Sequence, residues 1–250
     1  MNFLNQKTFW LLYLSSILLL SSCSVYTSQV SPPVLIESKG EIEFDGGISI
    51  IPSSSVGVNT SISYGLTEKI QSQLFVSHIG QGFDGEATTL QGIIGYSFFT
   101  NEHLSFKSFV GYFYGSANLI GDSSNLYLYN FKGNYQSLFG QFQFILKKKK
   151  YSLGVTLKIG EFYSTEKSTW KNNTINDKGV LFEPSIFYIK TFKNKKFRLH
   201  FLYSIPFLNL KKYNHDGYGN EPATFYGYSN PYGNFGIGVS YFMSTNYKSK

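Results

Sequence analysis

The chain has 250 residues, enough for one large β domain or two ordinary ones. Charged residues make up only 15%, against about 25% in a typical soluble domain, while aromatics reach 18%, with 24 Phe and 20 Tyr. That balance excludes a largely disordered chain, and a single Cys excludes a disulfide framework or a cysteine-based zinc site.

Residues 1–22 read as a lipoprotein signal peptide. Lys7 gives a positive start, and Phe9 to Leu20 is an apolar stretch interrupted by Ser15 and Ser16. The stretch is too short to span a bilayer and suits a signal-peptide core. No run of about 18 apolar residues occurs anywhere, which excludes a polytopic helical membrane protein. Leu20, Ser21 and Ser22 place small residues before a cleavage point, and Cys23 follows directly. This arrangement resembles the bacterial lipobox, and the resemblance implies acyl chains on Cys23. The alternative is an ordinary signal peptide with a chance Cys. Several chains on one residue anchor firmly, at about 0.8 kcal/mol per buried CH₂. Residues 23–38, rich in Ser and containing Pro32-Pro33, are expected to be a lipidated tether. Cleavage removes Lys7 and no acid, so the 22 basic residues fall to 21 against 15 acidic. The lysines cluster in short turns (Lys147 to Lys150; Lys193, Lys195, Lys196), a placement that fits anionic lipid headgroups better than nucleic acid.

From Lys39 the chain alternates with a period of two. Ten strands are expected, within a range of nine to eleven: Ile42–Ile50, Val56–Tyr64, Ile70–Ile79, Leu90–Phe99, Leu104–Tyr114, Leu138–Leu146, Tyr151–Ile159, Val180–Phe192, Phe197–Phe207 and Phe235–Tyr241. Pro184 removes a ladder donor and predicts a bulge or break in the eighth. Residues 65–69, 100–103, 147–150 and 193–196 read as tight turns. Residues 80–86, 116–133, 164–179 and 211–232 read as longer loops, and 52–55 as a short hairpin. Short turns alternating with long loops are the rhythm of an outer-membrane barrel, with both barrel termini periplasmic.

One strand face is apolar and the other carries Gly, Ser, Thr, Asn and Gln with few charges. That second face makes a poor soluble exterior but fills a narrow lumen. Expected lumen residues are Glu43, Asp45, Gln71, Gln73, Lys107, Gln141, Gln143, Lys158, Glu183, Arg198 and His200. Together they predict a hydrogen-bonded plug and no wide diffusion pore. Aromatics gather near the strand ends of the apolar face: Tyr64, Tyr96, Phe98, Tyr151, Phe192, Phe197 and Tyr241 at one end, and Tyr112, Tyr114, Tyr163 and Phe207 at the other. Two such belts match the girdles at headgroup level. The reading is therefore an all-β, single antiparallel up-and-down transmembrane β-barrel over residues 39–244, with a polar tail over 245–250. The competing reading is a soluble periplasmic lipocalin-like lipoprotein carrying a small apolar ligand.

Several motifs together resemble uncharacterised outer-membrane β-barrel lipoproteins of Bacteroidota. They are the lipobox, Pro32-Pro33-Val34-Leu35, Lys39-Gly40-Glu41-Ile42, and Ser63-Tyr64-Gly65-Leu66-Thr67-Glu68-Lys69-Ile70. The resemblance implies an envelope location in a Gram-negative bacterium and transfers no activity. One departure stands out. Gly238-Val239-Ser240-Tyr241-Phe242 looks like the terminal insertion signal of such barrels, yet Met243 to Lys250 follow it.

Chemistry is sparse. If Phe192 pairs with Phe197, Ser185 lies opposite Ser204, with Glu183, Arg198 and His200 on the same face, the best nucleophile–base–acid set available. His200 sits about 13 Å along its strand from Ser204, so lumen filling is the favoured reading. His215-Asp216 lies in the longest loop, without a fuller acidic pattern around it; Asp84 and Asp122 are isolated. No metal-ligand spacing and no phosphate loop occur, and no cofactor is implied. The expectation is a non-enzymatic barrel, with a barrel hydrolase as the least favoured alternative. Tyr213, Tyr218, Phe225, Tyr226, Tyr228 and Tyr232 form an aromatic contact set in the last loop, suited to a protein or glycan ligand. The expected partners otherwise are outer-membrane lipids and the barrel-insertion and lipoprotein-sorting machinery.

Overall fold

A computed structural model describes residues 31–51, 55–82, 85–122, 128–168, 174–192, 196–212, 227–229 and 234–244. These form twelve strands: β1 (Glu41–Ile51), β2 (Ser55–Gly65), β3 (Ile70–Gly82), β4 (Gly85–Thr100), β5 (Leu104–Asp122), β6 (Leu128–Lys147), β7 (Tyr151–Ser168), β8 (Thr174–Thr191), β9 (Phe197–Ser204), β10 (Phe207–Lys212), β11 (Gly227–Ser229) and β12 (Asn234–Ser244). Each of β1 to β8 pairs antiparallel with the next, β8 pairs with β9, β9 with β12, and β12 with β1. The ring is closed and has ten places, as the periodicity predicts. No helix occurs among the described residues. Closure gives each of the ten places a partner on both sides, as a lipid-exposed backbone requires.

β9 and β10 are one strand with an interruption at Ile205–Pro206. Ser185 faces Ser204 before it and Phe182 faces Phe207 after it, in one continuous alignment. The sequence places the break at Pro184, but β8 runs through it and keeps Leu157 opposite Pro184. In an antiparallel strand a residue's N–H and C=O point to the same neighbour. Pro184 accepts from the Ile205 N–H (3.0 Å), so its missing donor faces β9. The defect is therefore felt on the neighbouring strand, where Pro206 lacks a donor as well.

Alternation decides inside from outside. Leu138 is 61% exposed while Phe139 beside it is 2% exposed. The exposed face of β6 carries Leu138, Phe142, Phe144 and Leu146, and that of β7 carries Tyr151, Leu153, Val155 and Ile159. The expected belt residues Tyr64, Tyr96, Phe98, Tyr112, Tyr114, Tyr151, Phe192, Phe197 and Phe207 are all exposed. An apolar exterior around a closed ring is the inverse of a lipocalin. It overturns the soluble alternative and makes this a transmembrane barrel.

The wall is uneven. β1, β2 and β12 have 11 residues each, whereas β5 to β8 have 18 to 20. Toward the long-hairpin end the outward positions of the tall strands turn polar: Gln136, Asn134 and Lys132 on β6; Glu161 and Thr165 on β7; Lys178, Asn176 and Thr174 on β8. The expected loops at 116–133 and 164–179 are thus mostly strand, as are residues 80–82 and 85–86 of the expected 80–86 loop. Where both faces of a hairpin meet water, no apolar alternation is required, and the residues read as loop.

Candidate functional site: a lumen occupied by its own chain

The residues expected to line the lumen do so. Glu43, Asp45, Gln71, Gln73, Lys107, Gln141, Gln143, Lys158, Glu183 and His200 are buried; Arg198 is half-buried, its guanidinium 3.6 Å above the Phe242 ring. Between them at the short-turn end lies the described part of the segment expected as a lipidated tether. Residues 32–36 are buried and 37–39 exposed, so the chain runs out of the lumen before it enters β1.

A peptide inside a barrel must have its backbone groups satisfied. Pro32 and Pro33 bring no N–H, which removes two donors from the problem. Gln73 donates to Pro32 O (3.2 Å). Gln143 serves both polar groups of Val34, accepting from its N–H (3.2 Å) and donating to its carbonyl (2.9 Å). Glu43 accepts from the Leu35 N–H (3.1 Å). The Lys107 ammonium donates to the carbonyls of Val34 (3.1 Å) and Ile36 (2.6 Å). At the mouth Lys147 pairs with Glu37, and Glu41 accepts from the N–H groups of Glu37 (3.0 Å) and Ser38 (3.3 Å). The turn into β1 uses Gly40 at φ 74°, where a side chain is disfavoured. The Gly40 N–H then donates to Gly65 O (2.8 Å). Gly65 has no room for a Cβ, because Ser38 O and Ile36 press against that face.

The grip is apolar as well. Val34 and Ile36 join one cluster with Ile93, Phe109 and Phe139, and Leu35 joins another with Ile145, Phe187, Leu202 and Phe242. Inward aromatics were missed by the sequence reading, which assigned aromatics to the lipid face, the girdles and the loops. The signal is present in the cross-strand pairs: Gly95 opposite Phe109, Gly111 opposite Phe139, Gly115 opposite Tyr135 and Gly154 opposite Phe187. In each pair the ring lies over the glycine and takes the space of its absent Cβ.

Higher in the lumen, Phe113, Tyr135, Phe139 and Phe162 pack with ring centroids 5.8–6.4 Å apart. Tyr135 Oη lies 2.5 Å from Thr89 Oγ1. Lys158 closes the layer from below, with its ammonium 5.0 Å from the Phe139 centroid, 3.2 Å from Gln91 Oε1 and 3.5 Å from Glu183 Oε2.

On the opposite wall, Ser240 donates to Asp45 and lies 3.3 Å from His200 Nδ1. Ser61 donates to the other Asp45 oxygen (3.1 Å), and His200 Nδ1 is 3.7 Å from Asp45. A nucleophile–base–acid relay needs the imidazole between serine and carboxylate, one nitrogen on each. Here the same nitrogen faces both, so the group is a polar staple across β1, β12 and β9. His200 Nε2 packs on Gly238, where a Cβ would overlap it. Ser185 does lie opposite Ser204, but His200 is held by Ser240 and Asp45, so the nucleophile–base–acid set that the sequence offered as its less favoured reading is not assembled.

At the upper edge of the apolar band, Tyr163 Oη donates to Glu161 (2.5 Å) and the Lys178 ammonium lies 3.5 Å from the same carboxylate. Leu20, Ser21, Ser22, Cys23, Asp84, Tyr213, His215, Asp216, Tyr218, Phe225, Tyr226 and Tyr232 lie outside the described residues; the backbone of Tyr228 falls in β11.

No family model and no curated protein matches the chain. Among solved structures it is similar to the outer membrane protease OmpT from Escherichia coli, at 10% identity and a TM-score of 0.46, covering 81% of this chain and 93% of that one. It is also similar to the N-terminal β-barrel domain of Pseudomonas aeruginosa OprF (12%, TM-score 0.34, 82% and 98% covered). A third likeness is to Ail, the attachment invasion locus protein of Yersinia pestis (11%, TM-score 0.33, 82% and 99%).

Proposed function

We propose that the chain is a non-enzymatic outer-membrane barrel lipoprotein of a Gram-negative bacterium, anchored through Cys23 after cleavage behind Ser22. Its role is structural or that of a surface contact, made through the long hairpins and the Tyr-rich segment around Tyr213 to Tyr232. The observation that carries the reading is the lumen. Lys107, Gln73, Gln143 and Glu43 among its inward polar groups are spent on the protein's own residues 32–36, and Asp45, Ser61, Ser240, Lys158 and Gln91 on each other, while Gln71 is buried without a hydrogen-bond partner. The Ser240–His200–Asp45 group has the connectivity of a staple. The apolar exterior supports a membrane location, and the lipobox supports the anchor.

Extraction tests this. The Cys23→Ala chain should still need detergent after a carbonate wash and should still run heat-modified on a gel. Release of that variant into buffer would sink the barrel reading. Absence of acyl mass on the mature wild-type N-terminus would sink the anchor alone. In planar bilayers the wild type should pass no steady current, and a stable open conductance would overturn the filled-lumen argument.

A further inference from the structure

The two ends of the barrel differ in how their charges are matched. At the long-hairpin end lysines stand with acids: the Lys178 ammonium lies 3.5 Å from Glu161, and Lys212 stands opposite Asp177 across β10 and β8. At the short-turn end the β1–β5 side is matched as well. Lys39 and Lys69 share it with Glu41, Glu68 and Glu102, and Glu37 pairs with Lys147 at its border. The β6–β9 side is different. The turn between β6 and β7 is Lys148-Lys149-Lys150, all exposed, and Lys190 is exposed on the outward face of β8. None of these four takes part in an ion pair among the described residues.

Backbone register brings the four together. Lys190 pairs with Tyr151, the residue that follows the lysine turn, and the Thr191 N–H donates to Lys150 O (2.9 Å). The turn is therefore folded against the end of β8. Like charges this close repel one another. The adjoining turn between β4 and β5, tied to β6 by the bond from the Lys147 N–H to His103 O (2.6 Å), brings a single acid, Glu102. The surroundings fix the kind of anion that can answer this charge. Tyr151 and Tyr188 stack with ring centroids 6.1 Å apart, and Phe192 is exposed two residues beyond Lys190. These rings lie in the girdle that sits at headgroup level, so Lys190 faces lipid rather than open water. A lysine stem can lie along an apolar wall while its ammonium reaches the phosphates.

We propose that Lys148, Lys149, Lys150 and Lys190 form a headgroup site for an anionic phospholipid in the leaflet at the short-turn end. The proposal rests on the membrane-barrel reading and names the lipid that this reading leaves open. The chemistry selects the headgroup. A phosphate diester without an amine brings net negative charge to four ammonium groups. A zwitterionic headgroup carries its own cation to the same place and gains less. The attraction is electrostatic and falls off within a Debye length, about 10 Å at 0.1 M salt. That range covers the turn and the end of β8 and leaves the long-hairpin end outside it.

The test uses the protein purified in detergent and reconstituted in phosphatidylcholine vesicles doped with spin-labelled lipid. Electron spin resonance separates lipid held at the protein surface from bulk lipid, and so compares the association of two labelled lipids. Labelled phosphatidylglycerol should associate about three to five times more strongly than labelled phosphatidylcholine at low salt. The preference should shrink at about 1 M salt. In the variant carrying Lys148→Gln, Lys149→Gln, Lys150→Gln and Lys190→Gln it should fall below about 1.5-fold. The control carrying Lys39→Gln and Lys69→Gln should keep it. Heat-modified migration checks that each variant is folded. A wild-type ratio near one overturns the site, and so does an equal loss in the control and the four-lysine variant. Absence of any surface-held component, with either labelled lipid, would sink the membrane barrel itself and the proposal with it, a failure distinct from loss of the preference alone.

Discussion

The two ends of the barrel are built on different rules. At the short-turn end every strand takes part, lipid dictates the outer face, and the centre is filled by an extended peptide held through its backbone. At the long-hairpin end the wall rises on the side of β4 to β8 and β10, its outer face meets water, and the centre is closed by side chains stacked on one another. The lower end depends on hydrogen bonds to a strand that is not part of the sheet. The upper end depends on aromatic packing. Closing a ten-strand lumen thus takes two solutions, a gripped backbone at one end and stacked rings at the other.

Substitutions at each end test that contrast. Phe113→Ala removes the ring shared by Tyr135, Phe139 and Phe162, and should cost about 3–4 kcal/mol in urea unfolding from micelles. A loss under about 1 kcal/mol would mean that the upper layer is not packed as a core. Lys107→Met leaves two carbonyls of the lumen segment without their ammonium and should cost about 2–3 kcal/mol. The same change should make residues 31–38 exchange amide hydrogens faster, while the aromatic layer keeps its protection. Gly238→Ala pushes a methyl into the His200 imidazole and should cost about 1–2 kcal/mol. His200→Ala in the same chain should recover most of that loss, a coupling read by a double-mutant cycle. Lys132, on the projecting part of β6, should resist trypsin in the folded protein; rapid cleavage there would restore the loop reading. Glu161→Gln should leave the unfolding midpoint unchanged, because an exposed pair is screened by water.

The barrel was legible where one strand face meets lipid. There the alternation of Leu138, Phe142, Phe144 and Leu146 with Ser137, Gln141 and Gln143 gave the strand, its face and its ends. It failed in three places for physical reasons. Asn134 and Lys132 look like loop because both faces of that hairpin are polar. Phe139 and Phe162 point inward against the simple rule, since a lumen also has a core. Residues 32–36 carry no alternation because a single extended strand surrounded on all sides has no outside. Their Pro-Pro-Val-Leu-Ile composition reads as a linker until the glutamines and the lysine around it are seen. The inward glutamines and Lys107 were read correctly as lumen groups, but their partner was not, since the partner is main chain and leaves no trace in side-chain pattern.

Closure of the ring sets one further demand. Where β1 meets β12, Gly47 faces Gly238 and Ser49 faces Gly236, so the seam has few side chains with which to tell one alignment from another. A slip of two residues keeps every side chain on its own face, and the hydrophobic pattern would not detect it. Such a slip would change the shear of the barrel, and with it the tilt and bore. Asp45 faces Ser240 across the seam and bonds to it. Moved by two, Asp45 would meet Gly238 or Phe242, neither of which offers a side-chain donor. One carboxylate therefore works as the key that fixes the diameter of the whole cylinder.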